Sequence, residues 1–298
     1  MLLIKFFREE TNKNLPMKKT RIFILTLIAI IICTLLYTTS KMGETSPEEK
    51  IIVATSIMPQ KEFIEAVGGD KVKVIVMVPP GANPHTYEPQ PSQLRELSKA
   101  RIYFQIGSGI EFEKTWMERL KEQNPNIKII NCSKGIKLMK EDPHIWTSPR
   151  NAIIIVENIY KALIEEDPNH KEYYTENKDK YVTRLKKLDE QFNQTLTGKQ
   201  NKKILVYHPA WTYLCRDYKL EQITIEREGK EPSPQTLAKI IQEAKKDNIR
   251  IIIVSPQSNK QSAQAIADEI GAKIVTIDPL AENYIENMEK MLQTLKSI

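Results

Sequence analysis

From residue 51 onward, short apolar runs alternate with amphipathic stretches, and two periodicities take turns along the chain. The runs at 51–54, 72–78, 102–106 and 127–130 are rich in Ile and Val over a few residues and read as strands. Between them, 59–67 gathers Phe63, Ile64 and Val67 on one helical face before Gly68-Gly69-Asp70 stops it. The stretch 92–100 presents Leu94 and Leu97, and 111–123 repeats Phe112, Trp116 and Leu120 every four residues, so both read as helices. Alternation in units this short predicts a mostly parallel sheet with helices on its faces.

The texture changes over 169–196, which is highly charged and free of Gly. Tyr174, Tyr181, Leu185, Leu188, Phe192 and Leu196 recur there at three, four or seven residues. That is one long helix with a single apolar stripe, started by Asp167-Pro168 and stopped by Gly198. The alternation then resumes, with strands at 203–207, 249–254 and 273–277. The helices are 210–218, 234–246 (Ser233 as N-cap, Pro234 in the first turn), 262–270 ended by Gly271, and 284–295. The expected fold class is α/β: two lobes, each with a mostly parallel sheet flanked by helices, joined by one long linker helix. The corresponding division is 51–166, 167–200 and 201–298.

The first 50 residues follow a different rule. Lys18-Lys19-Thr20-Arg21 precedes an apolar run over 22–37 and then a polar stretch, the order of a secretory signal. The run is short for a membrane span, which needs about 20 residues. Residues 1–50 are therefore read as signal or anchor segment plus polar linker, with Met17 as an alternative start. Cys33 lies between Ile30-Ile31-Ile32 and Thr34-Leu35-Leu36, a poor setting for a lipidated Cys. The folded part is expected outside the cytoplasm, periplasmic or anchored on the outer face of the cell membrane, with membrane contact through the N-terminal segment.

Charge removes one class of partner. The formal net charge is +6, of which half falls in the first 50 residues. A mild excess spread along the rest is no nucleic-acid footprint, because neutralising phosphates takes clustered Lys and Arg. Three Cys exclude a disulfide scaffold. Cys132 and Cys215 fall in different lobes and are expected to be small buried apolar groups.

Only four His are present, so their places carry information. His85 follows the strand ending at 78, His144 stands in Asp142-Pro143-His144-Ile145-Trp146, and His208 directly follows the strand ending at 207. Asp278 directly follows the strand ending at 277. Open α/β sheets place ligand sites beyond the carboxyl ends of their strands. With two candidates in each lobe, the pattern proposes one site in the cleft between lobes. Neutral imidazole is the commonest protein ligand for late transition metals, and a carboxylate completes a compact N/O set. His170, on the charged linker, is expected to be solvated. Trp146 and Trp211, each a few residues past a His, are read as packing in the cleft wall.

The motifs carry a family resemblance. Asn-Pro-His-x-Tyr-Glu-Pro at 83–89, Asp-Pro-His-x-Trp at 142–146, Tyr-His-Pro-Ala-Trp-x-Tyr-Leu at 207–214, Glu-Pro-Ser-Pro at 231–234 and Asp-Pro-Leu at 278–280 run in order along the chain. Together they resemble the ZnuA/TroA-like solute-binding proteins, the zinc and manganese receptors of ABC importers. The resemblance implies two lobes bridged by a rigid helix and a metal held in the cleft for delivery to a membrane ABC permease. It also implies His85, His144, His208 and Asp278 as the four ligands. Two departures stand out. A His- and acid-rich loop found in some zinc receptors is absent between 123 and 142, and Ser255-Pro256-Gln257 stands where Glu-Pro is common.

Three imidazoles and one carboxylate suit tetrahedral Zn²⁺ as the transported ligand. Mn²⁺ prefers more oxygen, and manganese receptors of this kind tend to carry a carboxylate where His208 stands; a bidentate Asp278 would move the site towards Mn²⁺ or Fe²⁺. The rival readings are a zinc hydrolase, with Asp278 as base rather than ligand, and a surface adhesin. No His-Glu-x-x-His helix, Gly-x-Ser-x-Gly elbow or phosphate loop is present. A filled fourth position favours carriage over catalysis, and the chain is expected to be a monomer and not an enzyme.

Overall fold

The computed structural model describes residues 17–41, 49–140, 142–199, 203–226 and 230–297, with side chains of the first helix described over 22–34. The chain divides into two compact units, Met1–Glu49 and Lys50–Ile298. In the first, α1 (Met17–Lys41) covers the apolar run, and its described side chains are exposed. Among the described residues, no helix is long and apolar enough to cross a membrane. Residues 1–16, which precede the alternative start at Met17, and most of the polar linker lie outside the described residues.

The second unit holds two four-stranded sheets, both wholly parallel. The first is built from β1 (Ile51–Thr55), β2 (Val72–Val76), β3 (Ile102–Gln105) and β4 (Lys128–Asn131), in the order β2-β1-β3-β4. The second takes β5 (Lys203–Val206), β6 (Glu221–Thr224), β7 (Ile251–Val254) and β8 (Lys273–Thr276) in the equivalent order β6-β5-β7-β8. Each chain path runs outward from its first strand, then crosses to the other side. The switch therefore lies between β1 and β3 in one sheet and between β5 and β7 in the other, where a parallel sheet opens a crevice at its carboxyl edge.

Helices cover the faces as the periodicity requires. α2 (Met58–Gly68) buries Phe63, Ile64 and Val67. α3 (Pro91–Leu97) and α4 (Glu111–Gln123) follow, and α4 has the bounds that the four-residue spacing predicts. α8 (Pro234–Lys246) starts at Ser233, whose hydroxyl accepts from the Thr236 N–H, and α9 (Lys260–Ile270) ends on Gly271 at φ 65°, a left-handed cap that glycine adopts without a Cβ penalty.

The long linker helix is present as expected, and a second helix of the first lobe lies beside it. α5 (Pro149–Glu166) precedes the long α6 (Lys171–Leu196), and the two pack along each other. The hydrophobic pattern left 149–166 unassigned: its run Ile153-Ile154-Ile155-Val156 is β-branched, and its helical character comes from Pro149, the Ser148 cap and the spacing of Ile155, Ile159 and Leu163. The short β6 was also missed, since Glu221-Gln222-Ile223-Thr224 has one buried apolar residue to signal a strand. α6 buries the apolar stripe expected of it and also packs on α2 and on α10 (Tyr284–Lys296). One core consequently runs from the first sheet through this pair to α7 (Thr212–Tyr218), α10 and one face of the second sheet. A second core lies between the other face of that sheet, α8 and α9.

The expectation for His170 is corrected. It lies in the turn before α6, half-buried, with Nδ1 2.6 Å from Asp167 Oδ2 and its ring edge-on to Tyr174. A carboxylate three residues earlier captures it, so it is not simply solvated.

Candidate metal centre

Each candidate ligand owes its position to the end of a strand and a short turn. After β2 the chain turns at Asn83, whose side-chain oxygen accepts from the His85 N–H at 2.9 Å and whose carbonyl accepts from Thr86 and Tyr87. Pro84 removes one free φ from that turn. Gln93 of α3 braces it, accepting from the Tyr87 hydroxyl at 2.6 Å and donating to the Met77 carbonyl at 2.8 Å. His144 lies past β4, at the start of a 3-10 turn (Ile145–Thr147), and its carbonyl accepts from both the N–H and the hydroxyl of Thr147. His208 leaves β5 one residue after Tyr207, at the switch point of the second sheet.

These three imidazoles meet. His85, His144 and His208 each offer a ring nitrogen, and the three nitrogens lie within 4.8 Å of one another. His144 Nε2 and His208 Nε2 are 3.3 Å apart. The rings of His85 and His208 stand edge-to-face at 5.8 Å between centroids, those of His144 and His208 at 5.1 Å. His144 is buried, His208 half-buried and His85 exposed, so the group is open on the side of the His85 loop. Two of the rings come from loops of the first sheet and one from the second.

Asp278 stands apart from that close group. It follows β8, with Oδ1 accepting from the Leu280 N–H at 2.9 Å and its carbonyl accepting from Asn287 Nδ2 at 2.7 Å. Burial raises its pKa above the ordinary carboxylate value, against the opposing pull of the Leu280 N–H and the Gln257 side chain. Gln257, the residue that replaces the more usual Glu-Pro pattern, therefore reaches the candidate carboxylate.

Two further carboxylates escaped the sequence reading. Asp142 is buried; its Oδ1 lies 2.6 Å from His144 Nδ1 and accepts from the His144 backbone N–H at 2.8 Å. Its other oxygen accepts from the Thr212 N–H at 3.1 Å, at the head of α7. Burial opposes ionisation of Asp142, but the bonds to His144 and Thr212 outweigh it and its pKa is lowered. Glu226, after β6, places Oε1 3.2 Å from His208 Nδ1. A carboxylate on Nδ1 fixes the ring and directs Nε2 towards a metal. The Asp-x-His spacing could have flagged Asp142; nothing near Glu226 in sequence points to His208, 18 residues away.

Although His85 as a residue is exposed, its pKa is lowered first by partial desolvation of its ring, then by the neighbouring His208 and His144, with Glu111 and Glu226 opposing. The two neighbouring rings thus disfavour a proton on His85, which keeps its nitrogen lone pair free. Three imidazole nitrogens in one group, with carboxylates behind two of the rings, are metal-binding chemistry of the late transition series.

Comparison with known proteins agrees with that chemistry. Residues 53–298 match the family model of ZnuA, described as the periplasmic component A of a zinc-uptake complex. The chain belongs to this family. It is a family of metal-uptake receptors, not of enzymes. A member from Bacillus subtilis strain 168, the high-affinity zinc uptake system protein ZnuA, is 28% identical over 312 residues, covering 94% of this chain and 97% of its own. A crystal structure of ZnuA aligns at 40% identity and a TM-score of 0.80, over 84% of this chain and 99% of the other. A ZnuA deletion mutant with zinc bound aligns at 40% identity and 0.78, over 83% and 97%. The family fold is thus the two-sheet architecture described above.

Proposed function

We propose that this chain is the extracytoplasmic receptor of an ABC importer, capturing Zn²⁺ between its lobes and handing it to the membrane permease. His85, His144 and His208 supply three nitrogen ligands, and Asp278 supplies an oxygen once its side chain turns from the Leu280 N–H towards the cation. In this reading the lobes are 51–166 and 201–298, joined by 167–200. The chain acts as a monomer without catalysis, tethered or exported through its first 50 residues.

The observation that carries the proposal is the 3.3 Å between His144 Nε2 and His208 Nε2. Two nitrogens each ~2.0–2.1 Å from a tetrahedral Zn²⁺ are about 3.3–3.4 Å from one another. That separation is the edge of a zinc tetrahedron, and the carboxylates behind both rings support it. Nitrogen dominance also favours Zn²⁺ over the harder Mn²⁺. A fourth protein ligand leaves no open position for a reactive water, which supports carriage rather than hydrolysis.

The test is native mass spectrometry of the purified chain with Zn²⁺ and Mn²⁺ in competition, repeated on His85→Ala, His208→Ala and Asp278→Ala. One Zn²⁺ per chain, weakened in all three variants, is the expected result. A preference for Mn²⁺, or undiminished binding by Asp278→Ala, would overturn the metal assignment or the ligand count respectively.

A further inference from the structure

The segment that carries His144 is fastened to the other lobe on both sides. The Met139 N–H donates to the Tyr213 hydroxyl at 2.8 Å, and Asp142 accepts from Thr212. The Ser148 hydroxyl donates to Asp217. All of these partners belong to α7. One tie goes elsewhere: the indole N–H of Trp146, a residue only 2% exposed, donates to the Pro279 carbonyl at 2.6 Å. Trp146 is two residues past His144, and Pro279 is the residue after Asp278.

We propose that Trp146 is a positioning residue for Asp278, setting from the opposite lobe the distance at which that carboxylate reaches the cation. This rests on the reading of Asp278 as the fourth ligand. The Asp278 backbone is gripped by Asn287 from its own lobe at the carbonyl, and Pro279 stiffens the next residue. Among the bonds to this loop, the Trp146 bond is the one that comes from the segment carrying His144, so it sets the loop's distance from the imidazoles. A ligand oxygen must come within ~2.0–2.2 Å of zinc. An error of 1 Å in the loop would turn a ligand into a bystander. A buried indole N–H that lost its acceptor would go unpaired, so the bond resists sliding of the loop.

The same ring also stands edge-on to His144, 5.2 Å between centroids, which offers a competing route of action through the imidazole. The two routes differ in what depends on Asp278. If Trp146 acts through the carboxylate, its loss weakens Mn²⁺ more than Zn²⁺, since oxygen counts for more in the harder ion's shell. Its effect also disappears when the carboxylate is already gone.

The experiment is a competition titration of Zn²⁺ and of Mn²⁺ against a chelating dye, on wild type, Trp146→Phe, Asp278→Ala and the double variant, with metal-free melting recorded for each. Trp146→Phe is expected to lower Zn²⁺ affinity about tenfold, as losses of outer partners do, and Mn²⁺ affinity by more, with no further loss on the Asp278→Ala background. Unchanged affinity in Trp146→Phe, with Asp278→Ala weakened, would overturn the role of Trp146 and leave the ligand set standing. The same tenfold loss in both backgrounds would assign the effect to His144 and also overturn it. An Asp278→Ala variant that binds as wild type would remove the ligand reading and this inference together. Should Trp146→Phe melt early without metal, the benzothienyl isostere of Trp at 146, which keeps the fused ring and lacks the N–H, carries the same expectations.

Discussion

His144 Nε2 and His208 Nε2 face each other at 3.3 Å while a carboxylate, Asp142 or Glu226, stands at the Nδ1 of each ring. The carboxylates at Nδ1 orient the two rings so that their Nε2 atoms face one another at a spacing that one shared cation would suit. In the proposed site the carboxylates would orient the ligands without being ligands themselves.

Asp142→Ala should accordingly weaken zinc by ~10–100-fold, the range for removing the partner behind a ligating imidazole. It frees His144 and also unpairs the Thr212 N–H at the head of α7. Glu226→Ala should cost less, because its contact to His208 is longer at 3.2 Å against 2.6 Å. Dissociation constants by competition titration check the order; an Asp142→Ala variant as tight as wild type would contradict it.

Zinc should raise the melting temperature. A ligand that binds only the folded state, at a hundredfold above its Kd, contributes about 2.7 kcal/mol. For a folded unit spanning 50–298 that corresponds to about 5–10 °C. Scanning calorimetry before and after chelation measures it. The shift should shrink towards zero in His208→Ala, which removes the one proposed nitrogen ligand from the second lobe.

Much of this was legible from residue order. The strands after which His85, His144, His208 and Asp278 fall could be read from apolar runs, and parallel topology then carried those residues to one edge of each sheet. The helix pair was harder, because the Ile-rich start of α5 fits both periodicities and only its tertiary packing on α6 decides. Glu226 was invisible because its role arises from β6 lying beside β5, a pairing between Val206 and Thr224 that no local pattern announces. Asp278 was legible as a position but not as a geometry, since its side chain turns to Leu280 rather than to the imidazoles.

Gly107 should tolerate no side chain. Its φ is 75°, and a Cβ there would lie 1.9 Å from Asn131 Oδ1. The loop it belongs to is pinned by buried Glu113, which accepts from the N–H groups of Ile106 at 2.7 Å and Gly107 at 3.0 Å. Ser108, next along, donates to the Pro143 carbonyl just before His144. Gly107→Ala is expected to cost at least the ~1–3 kcal/mol of left-handed strain and to weaken zinc by displacing His144. Gly198→Ala, with φ 78° and nothing within 4 Å, is the control for strain alone and should leave zinc affinity unchanged.

The turn between α5 and α6 should be sensitive to acid through Asp167. Burial pushes its pKa up, but hydrogen bonds from the Tyr174 hydroxyl and His170 outweigh this, and the folded value is lowered. A carboxylate depressed on folding contributes stability above its unfolded pKa, about 3.9, and loses that contribution as pH falls through the folded value. Asp167→Ala should therefore melt a few degrees below wild type at pH 7, and the gap should close on acidification below about pH 4 as the native carboxylate takes up its proton. The Asp167 side chain is only part-buried, so solvent screening makes the gap a fraction of what a fully buried pair would give. Melting curves of the metal-free chain at pH 7, 5 and 3 test it. A gap that persists undiminished at pH 3 would mean that Asp167 holds the helix pair by packing and not by its charge.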